Sequence, residues 1–247
     1  MGDALGYRKK FGVLAPSTNT SVQPEFDSMR PPGVTNHQVR IHVADSPIRN
    51  DDDFNKLVAD IARAQDEAID RVMTCQPDYL VMGISAETFW DGLEASKKLK
   101  KQIEQRAKVG VSMGSEASTA ALKAYGVKRI GVLTPYQPVG DQNVRRFFTE
   151  SGYEVKKLIG LKAKSPVLIA HFTEDQLRDA ILELNSADVD AIIQVGTNLA
   201  MAKLAAIAER WLKKPVIAIN TATYWHALRA NGIKDKVYGF GTLLTEH

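Results

Sequence analysis

The stretch "FGVLAPSTNT", Phe11 to Thr20, decides the fold, because the chain writes it a second time as "IGVLTPYQPV", Ile130 to Val139. Each copy is a short apolar run closed by a proline and followed by polar or aromatic side chains. A run with no alternating polar position reads as a strand buried on both faces, which is how strands of a parallel sheet read. The echo continues in order. "PDYLVMGIS" (Pro77 to Ser85) is matched by "VDAIIQVGT" (Val189 to Thr197), and "ALKAYGVK" (Ala121 to Lys128) by "ALRANGIK" (Ala227 to Lys234). Matched pairs in a fixed order predict a duplicated half, with Ser17 standing where Tyr136 stands in the second copy.

Working outward from these runs, each half alternates apolar strands with amphipathic helices. The first half offers strands at about 11–15, 39–43, 79–83 and 109–113, the second at about 129–133, 154–160, 191–195 and 216–219, and "VYGFGTLL" reads as a final strand. Phe54, Leu57, Val58, Ile61, Ala68, Ile69 and Val72 keep the three-and-four spacing of a buried helix face, as do Leu177, Ala180, Ile181 and Leu184 behind a Thr173–Gln176 capping box. Gly126, Gly152 and Gly232 each follow a helical pattern, where a left-handed residue ends a helix. The expected fold is α/β: two pseudo-twofold-related lobes, each a parallel four-stranded sheet flanked by helices. Residues 1–114 with about 221–247 would form one lobe and 115–220 the other.

Composition limits the function classes. The chain has 247 residues, 44% hydrophobic and 25% charged, and its 32 basic residues against 29 acidic ones leave a net charge of +3. The lysines of "KKLKKQ" read as a solvated helix face, and no basic stripe interleaved with aromatics points to nucleic acid. "MGDALGYRKK" contains no apolar signal segment, and no apolar run approaches the ~20 residues that span a bilayer, so the expectation is a cytoplasmic protein without membrane contact. A single cysteine, Cys75, excludes an internal disulfide, and the five histidines show no metal-ligand spacing. Cys75 reads as a small buried residue at a helix end, and His171 and His226 as structural or exposed.

In open parallel sheets ligands bind beyond the carboxyl ends of the strands. That rule gathers Ser17, Thr18 and Asn19 from the first strand, Gly83, Ile84, Ser85 and Glu87 from the third, Tyr136 from the repeat of the first, and Gly196, Thr197 and Asn198 from the repeat of the third, with Ser115 and Asn220 after the fourth strands. Hydroxyls, amides and exposed backbone N–H groups at helix starts suit an anion, and without GxGxxG or GxxxxGK[ST] a small carboxylate fits better than a nucleotide. Each residue also has a plainer reading. Ser, Thr and Asn after a strand cap the next helix, Tyr136 packs between lobes, and Glu87 caps the following helix or, half-buried near Phe89 and Trp90, serves as a general base.

The motifs "GVLAPSTNT", "MGIS", "GVLTPY", "QVGTN" and "INTATYWHALRANGI" together resemble the maleate cis-trans isomerase and arylmalonate decarboxylase group of the aspartate/glutamate racemase superfamily. The resemblance runs through nearly the whole chain. It implies the duplicated lobes, no metal or organic cofactor, and a small mono- or dicarboxylate substrate between the lobes. It further implies that Asn19 binds carboxylate, that Tyr136 donates to it, and that Ile84, Ser85 and Thr197 form oxyanion-binding loops. The sequence departs from the group where a cysteine usually stands: the first position falls within Gly83-Ile84-Ser85 and the second is Gly196. Pro166 stands near the place of another expected asparagine. The reading is therefore a decarboxylase or isomerase that stabilises an enolate without a thiol, with Tyr136, Glu87 and Ser85 as candidate catalytic groups. A hydrolase or hydratase using Glu87 to activate water and a non-catalytic carboxylate binder remain as alternatives, and self-association into a homo-oligomer is left open.

Overall fold

A computed structural model describes residues 3–247, so the first two residues of the N-terminal stretch lie outside it. The first sheet contains β1 (Lys9–Pro16), β2 (Val34–Ile41), β3 (Tyr79–Met82) and β4 (Val111–Ser112) in the order β2-β1-β3-β4. The second repeats that order as β6-β5-β7-β8, with β5 Arg129–Thr134, β6 Glu154–Gly160, β7 Ala191–Gln194 and β8 Val216–Ala218. Every pairing is parallel. The central strands explain why: Phe11, Val13, Leu14 and Ala15 of β1 and Ile130, Val132 and Leu133 of β5 are all buried, as helices on both faces require.

The helices are α1 (Val22–Ser28), α2 (Asp51–Met73), α3 (Gly92–Ala107), α4 (Gly114–Ala124), α5 (Pro138–Glu150), α6 (Glu174–Leu184), α7 (Ala202–Leu212), α8 (Ile219–Ala230) and α9 (Leu243–Glu246). Asn50 caps α2 through Asp53 N–H, and Thr173 and Gln176 form the expected capping box of α6. Gly126, Gly152 and Gly232 all adopt positive φ. No helix among the described residues is long and apolar enough to cross a membrane.

One apolar cluster runs through both lobes, joining Phe11 and Val13 to Ile130 and Val132. Aromatic contacts close the seam: Phe89 meets Phe147 edge-on at 4.9 Å, and Phe54 lies 5.2 Å from Tyr136. Polar bridges join them, with Ile48 N–H donating to Lys164 O at 2.7 Å and Val139 N–H to Asp51 Oδ1 at 3.0 Å.

Two expectations about strands need correction. The second strand runs over Val34–Ile41 rather than 39–43, because an edge strand tolerates the polar Asn36, His37 and Gln38 that mask it in the sequence. "VYGFGTLL" is not a strand. Gly239 and Gly241 sit at φ +89° and +91°, and the chain ends in α9 with Leu243 and Leu244 buried.

Candidate active site

Because the strands of both sheets are parallel and the halves are duplicated, the carboxyl ends of β1, β3, β5 and β7 converge on one cleft. Its lining includes Thr18, Asn19, Ile84, Ser85, Tyr136, Gly196, Thr197 and Asn198, around a cavity of about 60 Å³ that is partly open to solvent. These residues come from four strand ends and lie up to 180 positions apart.

A chain of hydrogen bonds knits the ends together. The hydroxyls of Ser85 and Tyr136 share a bond of 2.7 Å, and Thr197 N–H donates to Ser85 Oγ at 3.2 Å. Thr197 Oγ1 donates to Gly83 O at 3.1 Å and accepts from Asn19 Nδ2, also at 3.1 Å. Asn19 Oδ1 accepts from Ser21 and Val22 N–H, so the capping reading and the cleft reading both hold for this residue. One N–H of its amide is then left for a ligand. Asn198 is spent on the fold: its oxygen accepts from Thr20 N–H at 2.9 Å, and its nitrogen donates to Pro166 O at 3.0 Å. Pro166 itself lines the cleft.

Behind this layer, Asn220 Nδ2 donates to Thr197 O at 2.9 Å and to Glu25 Oε2 at 2.6 Å, while Ala202 N–H donates to Glu25 Oε1 at 2.9 Å. Burial pushes the Glu25 carboxyl up, and the bonds from Asn220 and Ala202 pull it back. Tyr136 is positioned from its own strand, since its N–H donates to Thr134 Oγ1 at 3.1 Å and that hydroxyl donates to Asp141. Burial raises Asp141 to about 6 against the Thr134 bond. It also pushes the Tyr136 phenol well above its usual range, against the opposing pull of Ser85, so the phenol keeps its proton.

Five residues of the expected set do not line the cleft. Ser17 is exposed, and its hydroxyl stitches Val43 to β1 by donating to Val43 O and accepting from Val43 N–H. Gly83 supports the cleft only through its carbonyl. Glu87 is the main correction: the 3-10 turn Ala86–Phe89 rotates it away from Ser85, and it lines a different cavity between α2 and α3. Ser115 bonds Ser96 at 2.8 Å and Asn220 stands behind Thr197, so neither lines the cleft. His171 is exposed at the end of a 3-10 turn, and His226 bonds Ser112 at 2.7 Å. Cys75 is exposed, not buried. Its carbonyl accepts from Lys10 Nζ at the start of β1, which places the thiol at the end of the sheet opposite the cleft.

Sequence reasoning missed the apolar wall. Phe54, Leu57 and Ile61 of α2, with Val43 and Ile169, face the polar strand ends across the cleft. No separate signal for it stands in the sequence, because the apolar stripe of α2 reads as one buried face. Among the lining residues none is a lysine, arginine, histidine, aspartate or glutamate, and none is a cysteine. The donors are hydroxyls, amides and the N–H groups of Ser85 and Ala86, which meet no backbone acceptor among the described residues.

Residues 50–244 match the family described as arylmalonate decarboxylase. The chain belongs to the arylmalonate decarboxylase family. Membership makes it an enzyme of the decarboxylase and isomerase kind that acts on small acids. A maleate isomerase from Alcaligenes faecalis is 22% identical over 244 residues, 96% of either chain. In fold, the chain superposes with a TM-score of 0.87 on a cysteine-to-serine mutant of the Nocardia farcinica maleate cis-trans isomerase, which carries a covalently bound succinylcysteine intermediate, at 19% identity over 97% of this chain and 99% of that one. It superposes at 0.83 on a liganded double mutant of arylmalonate decarboxylase in which one glycine is replaced by cysteine and one cysteine by serine, at 18% identity over 97% and 100% of the two chains. Against these relatives, the thiol-free lining of this cleft bears directly on the chemistry open to it.

Proposed function

We propose that the protein is a thiol-independent and cofactor-independent decarboxylase of a small malonate-type acid bearing an apolar substituent. The observation that carries this reading is the division of the cleft into an uncharged donor wall and an apolar wall, with no thiol and no charged side chain on either. The retained carboxylate would rest on the free N–H of Asn19 and the Ser85 and Ala86 N–H groups, with the Ser85 hydroxyl donating to Tyr136 so that the phenol proton stays free for the α-carbon. The departing carboxylate would face Leu57 and Ile61, where its charge is poorly solvated.

Loss of CO2 removes that charge from the apolar wall and gathers electron density on the carboxylate held by the donors. The transition state is therefore favoured over the bound substrate on both walls. A preorganised donor of this kind is worth about 3 kcal/mol. The carbon–carboxyl bond breaks with its electron pair passing into the enolate, and the α-carbon then takes a proton from Tyr136. The phenol recovers its proton through Ser85 or solvent. Addition of a thiol to a double bond, the chemistry implied by the succinylcysteine of the Nocardia farcinica protein, has no nucleophile here: Cys75 lies at the other end of the sheet.

The test is proton NMR of the protein in deuterated buffer with phenylmalonate, methyl(phenyl)malonate, malonate and maleate. The expected result is CO2 loss with one deuterium at the α-carbon, faster for the substituted malonates. In Tyr136→Phe the same reaction should slow about 100-fold or more, as loss of a general acid does. Conversion of maleate to fumarate without CO2 loss would overturn the reading, as would inertness towards every malonate.

A further inference from the structure

The two lobes repeat one another in strand order, so a built feature found in one alone asks for a reason outside the fold. Laying β1 on β5 puts Ala15 where Thr134 stands, Ser17 where Tyr136 stands and, by the same count, Val22 where Asp141 stands. The cross-strand neighbour of Thr134 is Gly160, and that of Ala15 is Arg40. In the second lobe these positions interlock. The wholly buried Thr134 hydroxyl donates to Asp141 Oδ1 and accepts from Tyr136 N–H at 3.1 Å. The Asp141 carboxylate lies directly over Gly160, where a Cβ would overlap it. Gly140, the preceding residue on α5, makes room for Tyr136 itself, since a Cβ there would stand 2.8 Å from the Tyr136 Cβ and from the Phe54 ring. In the first lobe Ala15 has no hydroxyl, Val22 has no carboxylate and Arg40 takes the place of the glycine.

What the second lobe has at that strand end, and the first lacks, is Tyr136. We propose that Asp141, acting through Thr134, is a positioning residue that aims the Tyr136 phenol at the α-carbon, and that turnover requires its carboxylate to be ionised. The inference rests on Tyr136 being the proton donor of the decarboxylation. Tyr136 is held at both ends, by Ser85 Oγ 2.7 Å from its hydroxyl and by Thr134 at its backbone N–H. A hydroxyl carries one proton. While Asp141 is ionised, the Thr134 proton points to the carboxylate and a lone pair faces Tyr136 N–H. Once Asp141 is protonated, that charge-assisted bond is gone, and the Thr134 proton has no other acceptor among the described residues.

The charged groups facing Asp141 are Lys162 beyond β6, Arg145 on its own helix and Asp51 at the start of α2. Burial raises the carboxyl to about 6, while the Thr134 bond and the two cations oppose the rise. The interlock is therefore intact near neutral pH and is lost as pH falls through that value. The groups that hold the substrate carboxylate, Asn19 and the Ser85 and Ala86 N–H, follow β1 and β3 in the other lobe. Losing the interlock should lower kcat and spare KM.

The experiment is decarboxylation of phenylmalonate by the whole protein between about pH 5 and about pH 8, in wild type and in Asp141→Asn, so that titration of the substrate is common to both. Asparagine keeps the shape and an acceptor for Thr134 but has no charge. At about pH 7.5 the variant should have a kcat about tenfold or more below wild type with KM within about twofold, the pattern of a misaimed group. The acid limb near pH 6 should be present in wild type and missing from the variant. Thr134→Ser, which keeps the hydroxyl, should retain the kcat that Thr134→Val loses. In parallel, carbon NMR of protein labelled at tyrosine Cζ should show the Tyr136 resonance, identified by its loss in Tyr136→Phe, titrating near pH 6 in wild type and not in Asp141→Asn. A Tyr136 resonance indifferent to pH over that range, or an Asp141→Asn variant with wild-type kcat and acid limb, would overturn the proposal. A resonance that follows Asp141 in a protein inert towards every malonate would overturn the decarboxylase reading and leave the control of Tyr136 by Asp141 standing.

Discussion

Replacing Glu87 by glutamine should stabilise the protein, and by an amount that depends on pH in a calculable way. Burial moves the Glu87 carboxyl from 4.5 to about 8. Below about pH 4.5 both the folded and unfolded chains hold the proton, and the carboxyl adds no pH dependence. Between there and about 8 the unfolded chain releases the proton while the folded chain retains it, so stability falls as pH rises. Above about 8 both forms are ionised and the loss is complete. Each unit of pH inside the window is worth about 1.4 kcal/mol, so the wild type should lose about 3 kcal/mol from this group between pH 5 and pH 7. Glutamine has nearly the shape of the neutral acid and no proton to lose, so the advantage of the variant should grow by that amount over the same interval. Asp141 and Glu25, whose carboxyls burial also raises, contribute with the same sign in both proteins and cancel in the difference. Urea unfolding at a series of pH values measures it, and thermal midpoints should separate by about 2–4 °C per kcal/mol in a chain of this size. Wild-type and variant curves that run parallel from pH 5 to pH 7 would refute the claim that Glu87 is buried without a partner.

Three further substitutions probe the cleft. Gly196 sits at φ +108°, and a Cβ there would overlap the Pro135 ring, so Gly196→Ala should lower unfolding free energy by about 1–3 kcal/mol, read from denaturant midpoints. The same clash bars a cysteine at this position unless the loop moves. Asn19→Ala removes two capping bonds and the bridge to Thr197 and should cost about 2 kcal/mol of stability, with weaker binding of a carboxylate ligand by calorimetry. Glu25→Ala leaves Ala202 N–H and Asn220 without their acceptor, and should lower the thermal midpoint by the equivalent of about 1–3 kcal/mol.

The architecture was legible in the sequence because the halves are repeated and the central strands are apolar throughout. From "FGVLAP" and "IGVLTP" the parallel sheets follow, and with them the rule that strand ends build the site. Asn19, Ile84, Ser85, Tyr136, Gly196, Thr197 and Asn198 were placed in the cleft by that rule alone, since strand direction is a property of topology. The missing cleft cysteine is likewise a matter of composition and register. What a side chain faces within a turn is different. Ser85, Ala86 and Glu87 are consecutive, yet the first two line the cleft and the third lines the α2–α3 groove, because a 3-10 turn rotates each successive residue by about a third of a circle. Likewise the stripe of α2 reads as one face, and only packing divides it between two cavities. The parallel strands and their carboxyl ends were written in the local pattern of residues, while their order in each sheet came from the structure. The direction of Glu87 and the apolar wall depend on which neighbours the folded chain brings against them, and no local pattern carries that.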